Sequence, residues 1–186
     1  MLVGWAVWIT GLPGSGKSTI ANALGKKLKK AKVHYQILSI EMVRKALTPH
    51  PSYTEEERKI VYSALVFAAE LLTKNGINVI IDATGNRRVY RDNARKKIKK
   101  FMEVYVKCPL KICIKREMNR KKTYGAPKGI YKKALTGKSL TVPGIGVPYE
   151  APLKPEVIIN SVKLKPEKAA EKIFNKIKER WRLNYC

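Results

Sequence analysis

Val3-Gly-Trp-Ala-Val-Trp-Ile-Thr-Gly-Leu-Pro-Gly-Ser-Gly-Lys-Ser-Thr19 decides the fold. Val3 to Thr10 is a short apolar run with β-branched and aromatic residues, the pattern of a buried parallel strand. Gly11-Leu12-Pro13-Gly14-Ser15-Gly16-Lys17-Ser18 then completes G-x-x-x-x-G-K-[ST], with Thr19 directly after it. A helical segment follows, in which Ile20, Ala21, Ala23, Leu24 and Leu28 can form an inner face and Lys26, Lys27, Lys29 and Lys30 a wet one. Strand before and helix after is the context this motif requires. Its glycines permit backbone conformations closed to bulkier residues, so that N–H groups close around a phosphate. The start of the helix adds free amides and the positive end of its dipole. Lys17 is expected to reach the β- and γ-phosphates, and the Ser18 hydroxyl to ligate Mg2+. Gly11 to Thr19 is therefore read as a nucleoside triphosphate site.

Working outward, His34 to Ile40 reads as a second strand leading into Glu41 to Leu47, and Thr48-Pro-His-Pro51 breaks the pattern. Glu55 to Lys74 reads as a long helix with Thr54 as N-cap and Gly76 as its stop. Ile60, Ala64, Phe67, Ala68, Leu71 and Leu72 recur at helical spacing and are expected to be its core face. Ile77 to Asp82 is the clearest buried strand, and it ends in a carboxylate. Ala83-Thr84-Gly85-Asn86 is a turn, and Arg87 to Lys100 a basic helix whose Arg87, Arg88, Arg91 and Arg95 are expected on a solvated face. Phe101 to Lys107 is a further strand, and Pro109 opens a helix to about Asn119.

Residues 116–155 are rich in Gly, Pro and Lys, with a short helix at Tyr131 to Leu135. That is too long for a passive loop inside a compact domain and reads as a mobile lid. Val157 to Asn160 is a last short strand. Pro166 to Arg182 closes as an amphipathic helix with Ala169, Ala170, Ile173, Phe174, Ile177 and Trp181 on one side. Strands alternating with helices predict an α/β three-layer sandwich of the P-loop NTPase type, a parallel sheet with helices on both faces. One kinase domain over residues 1–186 is expected.

Composition narrows the classes. An apolar fraction of 45 % supports a real core, and no stretch approaches the roughly 18 uninterrupted apolar residues of a membrane span. No basic leader precedes the first apolar run, so a cytoplasmic location is expected. Cys108, Cys113 and Cys186 are too few and wrongly spaced for a zinc site or a disulfide framework, and His34 and His50 lack metal-type partners. The net charge of +25 points to a polyanionic partner, nucleotide or nucleic acid. The basic residues are spread along the chain without an aromatic-interleaved platform, which favours the nucleotide.

No Asn-Lys-x-Asp guanine-reading segment occurs, and motor ATPases need far more chain. A short chain with a P-loop, an acid after the second strand, an Arg-rich middle and a basic lid fits a small kinase moving a γ-phosphoryl group to a hydroxyl. Trp8-Ile-Thr-Gly-Leu-Pro-Gly-Ser-Gly-Lys-Ser-Thr-Ile-Ala21, Arg91-Asp-Asn-Ala-Arg95, Phe101 to Cys113, Lys128-Gly-Ile-Tyr-Lys-Lys-Ala134, Pro148-Tyr-Glu-Ala-Pro152 and Pro155-Glu156 carry a resemblance. Across most of residues 5–160 the chain resembles the adenylylsulfate (APS) kinases of sulfate assimilation, which phosphorylate the 3′-hydroxyl of APS with MgATP. The lid phrase GIYKKA with PYEAP downstream is specific to that family, whereas the P-loop is generic.

The resemblance implies a homodimer and sets several residue roles. Arg44 and Arg58 are expected to hold the anionic acceptor, Thr84 to lie beside it, and Arg116 to be the lid arginine that closes on ATP. The chain also departs from the family. Leu-Asp-Gly-Asp-x-x-Arg is here Leu38-Ser39-Ile40-Glu41-Met-Val-Arg44, a substrate-touching Asn is Val61, a turn Ser is Gly85, and the Phe that stacks on the APS adenine is Val142. An insert from about Met118 to Pro127 interrupts the lid. Asp82 is a gain, since the family usually has no acid there; with a Thr and Asn turn after it, it resembles polynucleotide and small-molecule hydroxyl kinases, so a kinase of another hydroxyl (a nucleic-acid 5′-end, a nucleoside or a small alcohol) is the alternative reading. Asp82 and Glu41 are expected to share the roles of the family's two Asp residues, one orienting and deprotonating the hydroxyl and the other holding the Mg2+ site with Ser18.

Overall fold

β1 (Ala6–Thr10) is buried along its whole length because both of its faces are covered. In the computed structural model, which describes residues 3–48 and 50–181, Val7 and Ile9 face one helical layer and Ala6 and Trp8 the other. β1 feeds α1 (Lys17–Lys30), and the chain continues through β2 (Tyr35–Ser39), α2 (Ile40–Leu47), α3 (Glu55–Lys74) and β3 (Asn78–Asp82). α4 (Arg88–Lys97), β4 (Phe101–Lys107), α5 (Leu110–Asn119), α6 (Ile130–Leu135), β5 (Val157–Asn160) and α7 (Pro166–Arg180) complete it. The five strands form one parallel sheet in the order β2-β3-β1-β4-β5. The expected three-layer sandwich is what forms.

α1 and α7 cover one face, where Leu24, Leu28, Ala169, Ile173 and Ile177 pack on Val7, Ile9 and Ile80. Trp181 stacks on Trp5 at 5.8 Å and closes the edge of that layer. α3 and α4 cover the other face, where Val61, Leu65, Ala69 and Ala94 meet Trp8, Val79 and Ile81. A third cluster (Cys113, Tyr131, Ala134 and Val142, with Leu12 against it) packs the lid onto the phosphate loop. The Tyr131 hydroxyl donates to the Pro13 carbonyl at 3.0 Å, so lid and loop are joined directly.

Two expectations fail. Of the expected α3 face, Ala68 and Leu72 pack against the core, but Ile60, Phe67 and Leu71 are exposed, at 61, 62 and 52 %, while Val61, Leu65, Val66 and Ala69 are fully buried. Both sets repeat at helical spacing, because α3 carries apolar side chains around most of its circumference. Only the position of the sheet selects between them. Thr54 does cap α3, accepting from the Glu57 amide at 3.2 Å.

The second failure is Arg91, expected on a solvated face but only 1 % exposed. Its Nε donates to Glu103 Oε1 at 2.6 Å and Nη2 to the Glu150 carbonyl at 2.6 Å, and Nη1 bonds the Gly85 carbonyl. Arg95 grips Glu156 with two bonds of 2.6 and 2.8 Å. Buried Arg91 and half-exposed Arg95 are struts tying α4 to β4 and to the chain returning toward β5. α4 ends at Lys97 and α7 at Arg180, each short of its expected limit, and Arg182 and Cys186 lie outside the described residues. Among the described residues no helix is long and apolar enough to cross a membrane.

The α3 correction carries a test. Leu65→Ala, which empties a buried site, is expected to cost about 2–5 kcal/mol of unfolding free energy. Leu71→Ala, on the exposed stripe, should cost less than about 1 kcal/mol when urea unfolding is followed in dilute protein.

Candidate active site

Parallel pairing aligns the strand ends. Ile9 is in register with Asp82, and Ser39 with Asp82, so the end of β1, the β3 acid and the start of α2 lie in a row. Ligands bind at this carboxyl edge of an open parallel sheet. The phosphate loop turns there from β1 into α1. Gly14 sits at φ +76°, and any Cβ would press into the Cys113 carbonyl, so this position takes glycine alone. α1 begins without a side-chain cap, which leaves its first amides free for an anion.

Lys17 is 8 % exposed, and its Nζ donates to the Leu12 carbonyl at 2.9 Å. Burial lowers its pKa, with Asp82 opposing that shift most strongly. Asp82 is itself raised by burial, against the pull of Lys17 and the Ser18 hydroxyl. Each group is thus dehydrated more than its partner compensates. Glu41, in the first turn of α2, is also raised by burial and by Asp82, against Arg44, Lys17 and Arg120. A carboxylate with elevated pKa is a suitable proton acceptor.

A single cavity of about 790 Å3 gathers most of the expected residues: Pro13, Gly14, Gly16, Lys17, Ser18 and Thr19 with Glu41, Asp82, Thr84, Arg44, Arg58, Arg116 and Val142. Gly11, Leu12 and Ser15 lie off its wall. Leu12 packs into the lid cluster and offers its carbonyl to Lys17, and the buried Ser15 hydroxyl has no partner. Among the described residues no cluster of three or more His, Cys, Asp or Glu could hold a metal. Ser18 and Asp82 as protein oxygens, completed by phosphate oxygens and water, suit Mg2+, which is bound by one or two carboxylates plus substrate phosphates.

Arg44 and Arg58 are buried on the cavity wall. Arg44 pairs with buried Glu57 and lies 4.6 Å above the Tyr53 ring, and its Nε is buried with no partner. Hydrogen bonds from Ser52 and the Tyr53 amide, together with Arg44, hold Glu57 below its ordinary range even though burial raises it. Arg58 Nε donates to the Tyr53 carbonyl at 3.1 Å, and Nη1 reaches Asn86 Oδ1 at 3.4 Å. Nη2 bonds the Thr141 carbonyl, which ties Arg58 to the segment after α6. Thr84 contributes its carbonyl to the Thr10 hydroxyl at 2.6 Å.

The family departures acquire physical reasons. Ser39 caps α2, accepting from the Met42 amide at 3.1 Å. Val61 is fully buried in the core and does not reach the cavity. Gly85 has φ +50°, and a Cβ there would meet Arg91 Cγ and Trp8 at 3.0 Å, so the strut leaves no room for Ser. Arg116 is occupied: it donates to Ser161 Oγ at 3.1 Å and to the Ser161 carbonyl at 2.9 Å. Tyr53, at φ +59°, and Arg120 also line the cavity. Sequence reasoning missed both. Neither belongs to a periodic pattern, and Arg120 falls in the insert.

The adenylylsulphate kinase family model matches residues 3–160. A probable adenylyl-sulfate kinase of Pyrococcus abyssi is 37 % identical over 176 residues, covering 95 % of this chain and 96 % of its own. One of Archaeoglobus fulgidus is 40 % identical, covering 86 and 97 %. The solved structure of the Mycobacterium tuberculosis APS kinase in complex with AMPPNP and APS superposes with a TM-score of 0.84 at 28 % identity, covering 96 % of this chain and 99 % of that one.

Glu41 gives a pH test. Its folded-state pKa is raised, so the native chain binds more protons than the unfolded chain in mild acid. Its contribution is therefore best below the ordinary carboxylate value of about 4.3 and is lost as pH rises through the elevated one. Ligand-free Glu41→Gln is expected to melt higher than wild type at neutral pH, with the gap closing as pH falls toward about 4. A gap that stays constant with pH would refute the assignment.

Proposed function

The chain belongs to the adenylylsulphate kinase family, and we propose that it transfers the γ-phosphoryl group of ATP to the 3′-hydroxyl of APS, giving ADP and 3′-phosphoadenylylsulfate. The observation that carries this reading is the shared cavity. Phosphate loop, Glu41, Asp82, Arg44, Arg58 and lid all open onto one space. Both nucleotides can meet there away from bulk water.

Gly11 to Thr19 holds the ATP phosphates, with Lys17 on the β- and γ-phosphates, and Ser18 and Asp82 would hold Mg2+. The metal's chemistry is to neutralise and orient the phosphates. Glu41 takes the proton of the attacking hydroxyl. Arg44, braced by Glu57 and Tyr53, and Arg58, braced by Asn86 and the lid, bind the acceptor's phosphosulfate, since guanidinium forks match such oxyanions. Thr84 and Val142 form the wall beside it, and Arg116 serves the donor nucleotide from its anchor on Ser161.

The chain acts as one kinase domain with residues 116–155 as its lid. The buried free thiols Cys108 and Cys113 fit a reducing compartment such as the cytoplasm. A homodimer belongs to the same reading, and the exposed Ile60, Phe67 and Leu71 stripe supports it. Phe67→Lys is then expected to leave a monomer in sedimentation velocity.

ADP release from MgATP, with and without APS, tests the activity. APS-dependent release with a 3′-phosphorylated product is expected, together with a fall in kcat of at least about 100-fold in Asp82→Asn. ATP binding without stimulation by APS would overturn APS as acceptor and favour another hydroxyl. Near-normal turnover in Asp82→Asn would overturn the role of Asp82.

A further inference from the structure

The lid insert does more than lengthen a loop. Arg120, Lys122, Thr123, Tyr124, Ala126 and Pro127 all line the main cavity. The insert also approaches α2, where a Cβ on Gly125 would lie 3.7 Å from Glu41 Cβ. Among its side chains Arg120 is built in most firmly. Its Nη2 donates to Glu117 Oε1 at 3.2 Å and to the Pro127 carbonyl. Its Nε is buried and has no partner. Arg120 shares the wall of one cavity with Lys17 and Glu41.

Glu117 explains how a loop residue is held there. Its carboxylate side chain has no exposure at all. It accepts from Arg120, from the Gly129 amide at 2.9 Å and from the Tyr131 amide at 3.5 Å. One buried acid therefore clamps the beginning of the insert to the start of α6, and Tyr131 in turn bonds the Pro13 carbonyl of the phosphate loop. Arg116, the arginine expected to close on ATP, is committed to Ser161 and reaches the Ser15 carbonyl only at 3.5 Å.

We propose that Arg120 is a catalytic residue, contacting the phosphoryl group in transit between donor and acceptor, and that Glu117 is its positioning residue. A transferring phosphoryl group spreads negative charge over its equatorial oxygens, and a preorganised guanidinium stabilises that charge. Arg120 suits this because its held nitrogen is Nη2, leaving the rest of the fork for oxyanions. The proposal deepens the kinase reading and rests on phosphoryl transfer, not on APS as the acceptor.

Two measurements on the full chain test it. In APS-dependent ADP release, Arg120→Ala should lower kcat by about 100-fold or more, with the KM for ATP changed by less than about threefold. Arg120→Lys should recover only part of that loss, because it keeps the charge without the planar fork. Glu117→Gln should lower kcat less than Arg120→Ala does. The second measurement is MgADP affinity with and without aluminium fluoride, which imitates the phosphoryl group in flight. Wild type should bind MgADP more tightly with the fluoride. Arg120→Ala should lose at least about tenfold of that tightening while MgADP alone binds as before.

Turnover within about threefold of wild type and intact fluoride tightening in Arg120→Ala would overturn the proposal. So would a lowered melting temperature with turnover retained per folded molecule. If wild type ignores APS, the acceptor assignment fails, and the fluoride comparison still decides Arg120.

Discussion

Lys17 carries its ammonium into a nearly dry site, and the surrounding architecture follows from that burial. Its pKa falls through desolvation, and the acid beside it, Asp82, rises for the same reason. A buried pair of this kind does little for stability. The phosphate loop, closed by glycine against the Cys113 carbonyl, holds the lysine there through the Leu12 carbonyl at 2.9 Å. The parallel register that puts Asp82 next to Ile9 gives the acid equally little freedom.

How much of this could be read beforehand depended on whether local or distant constraints decide each residue. The strands, α3 to the residue, and the phosphate loop were legible because each carries its own signal: an apolar run, a capping Thr54, a glycine pattern. The buried face of α3 was not legible. Ile60, Phe67 and Leu71 repeat as well as Val61, Leu65 and Ala69 do, and only contact with the sheet separates them. Arg91 was misread for a related reason. A basic helix normally faces water, and nothing near Arg91 in sequence reveals that Glu103 and the carbonyls of Gly85 and Glu150 will surround it.

Arg91 also accounts for changes elsewhere. Its side chain fills the space that a Cβ at Gly85 would need, and it holds the Glu150 carbonyl as the chain returns from the lid. Glu150 further accepts from the Arg88 amide at 2.8 Å, and the neighbouring Tyr149 hydroxyl lies 3.0 Å from the Thr10 hydroxyl. The phrase Pro148-Tyr-Glu-Ala-Pro152 therefore fixes the downstream end of the lid to β1 and α4. In this chain the phrase is a structural fastening, and none of its five residues lines the main cavity.

The two ends of the cavity are built from different materials. The phosphate-loop end is mainly backbone: loop amides, the first turn of α1, and the Leu12 carbonyl that holds Lys17. Backbone geometry is set by glycines, and few substitutions preserve it. The acceptor end is mainly side chains propping one another: Glu57 under Arg44, Tyr53 against both arginines, and Asn86 and the Thr141 carbonyl on Arg58. Tyr53 holds φ +59° to complete that scaffold, a conformation costing of order 1–3 kcal/mol for a residue with a Cβ. Such a network can exchange individual members while keeping its guanidinium groups in place. Ser39, Val61 and Gly85 lie outside that network, at a cap, in the core and against the Arg91 strut, while Arg44 and Arg58 stay on the cavity wall.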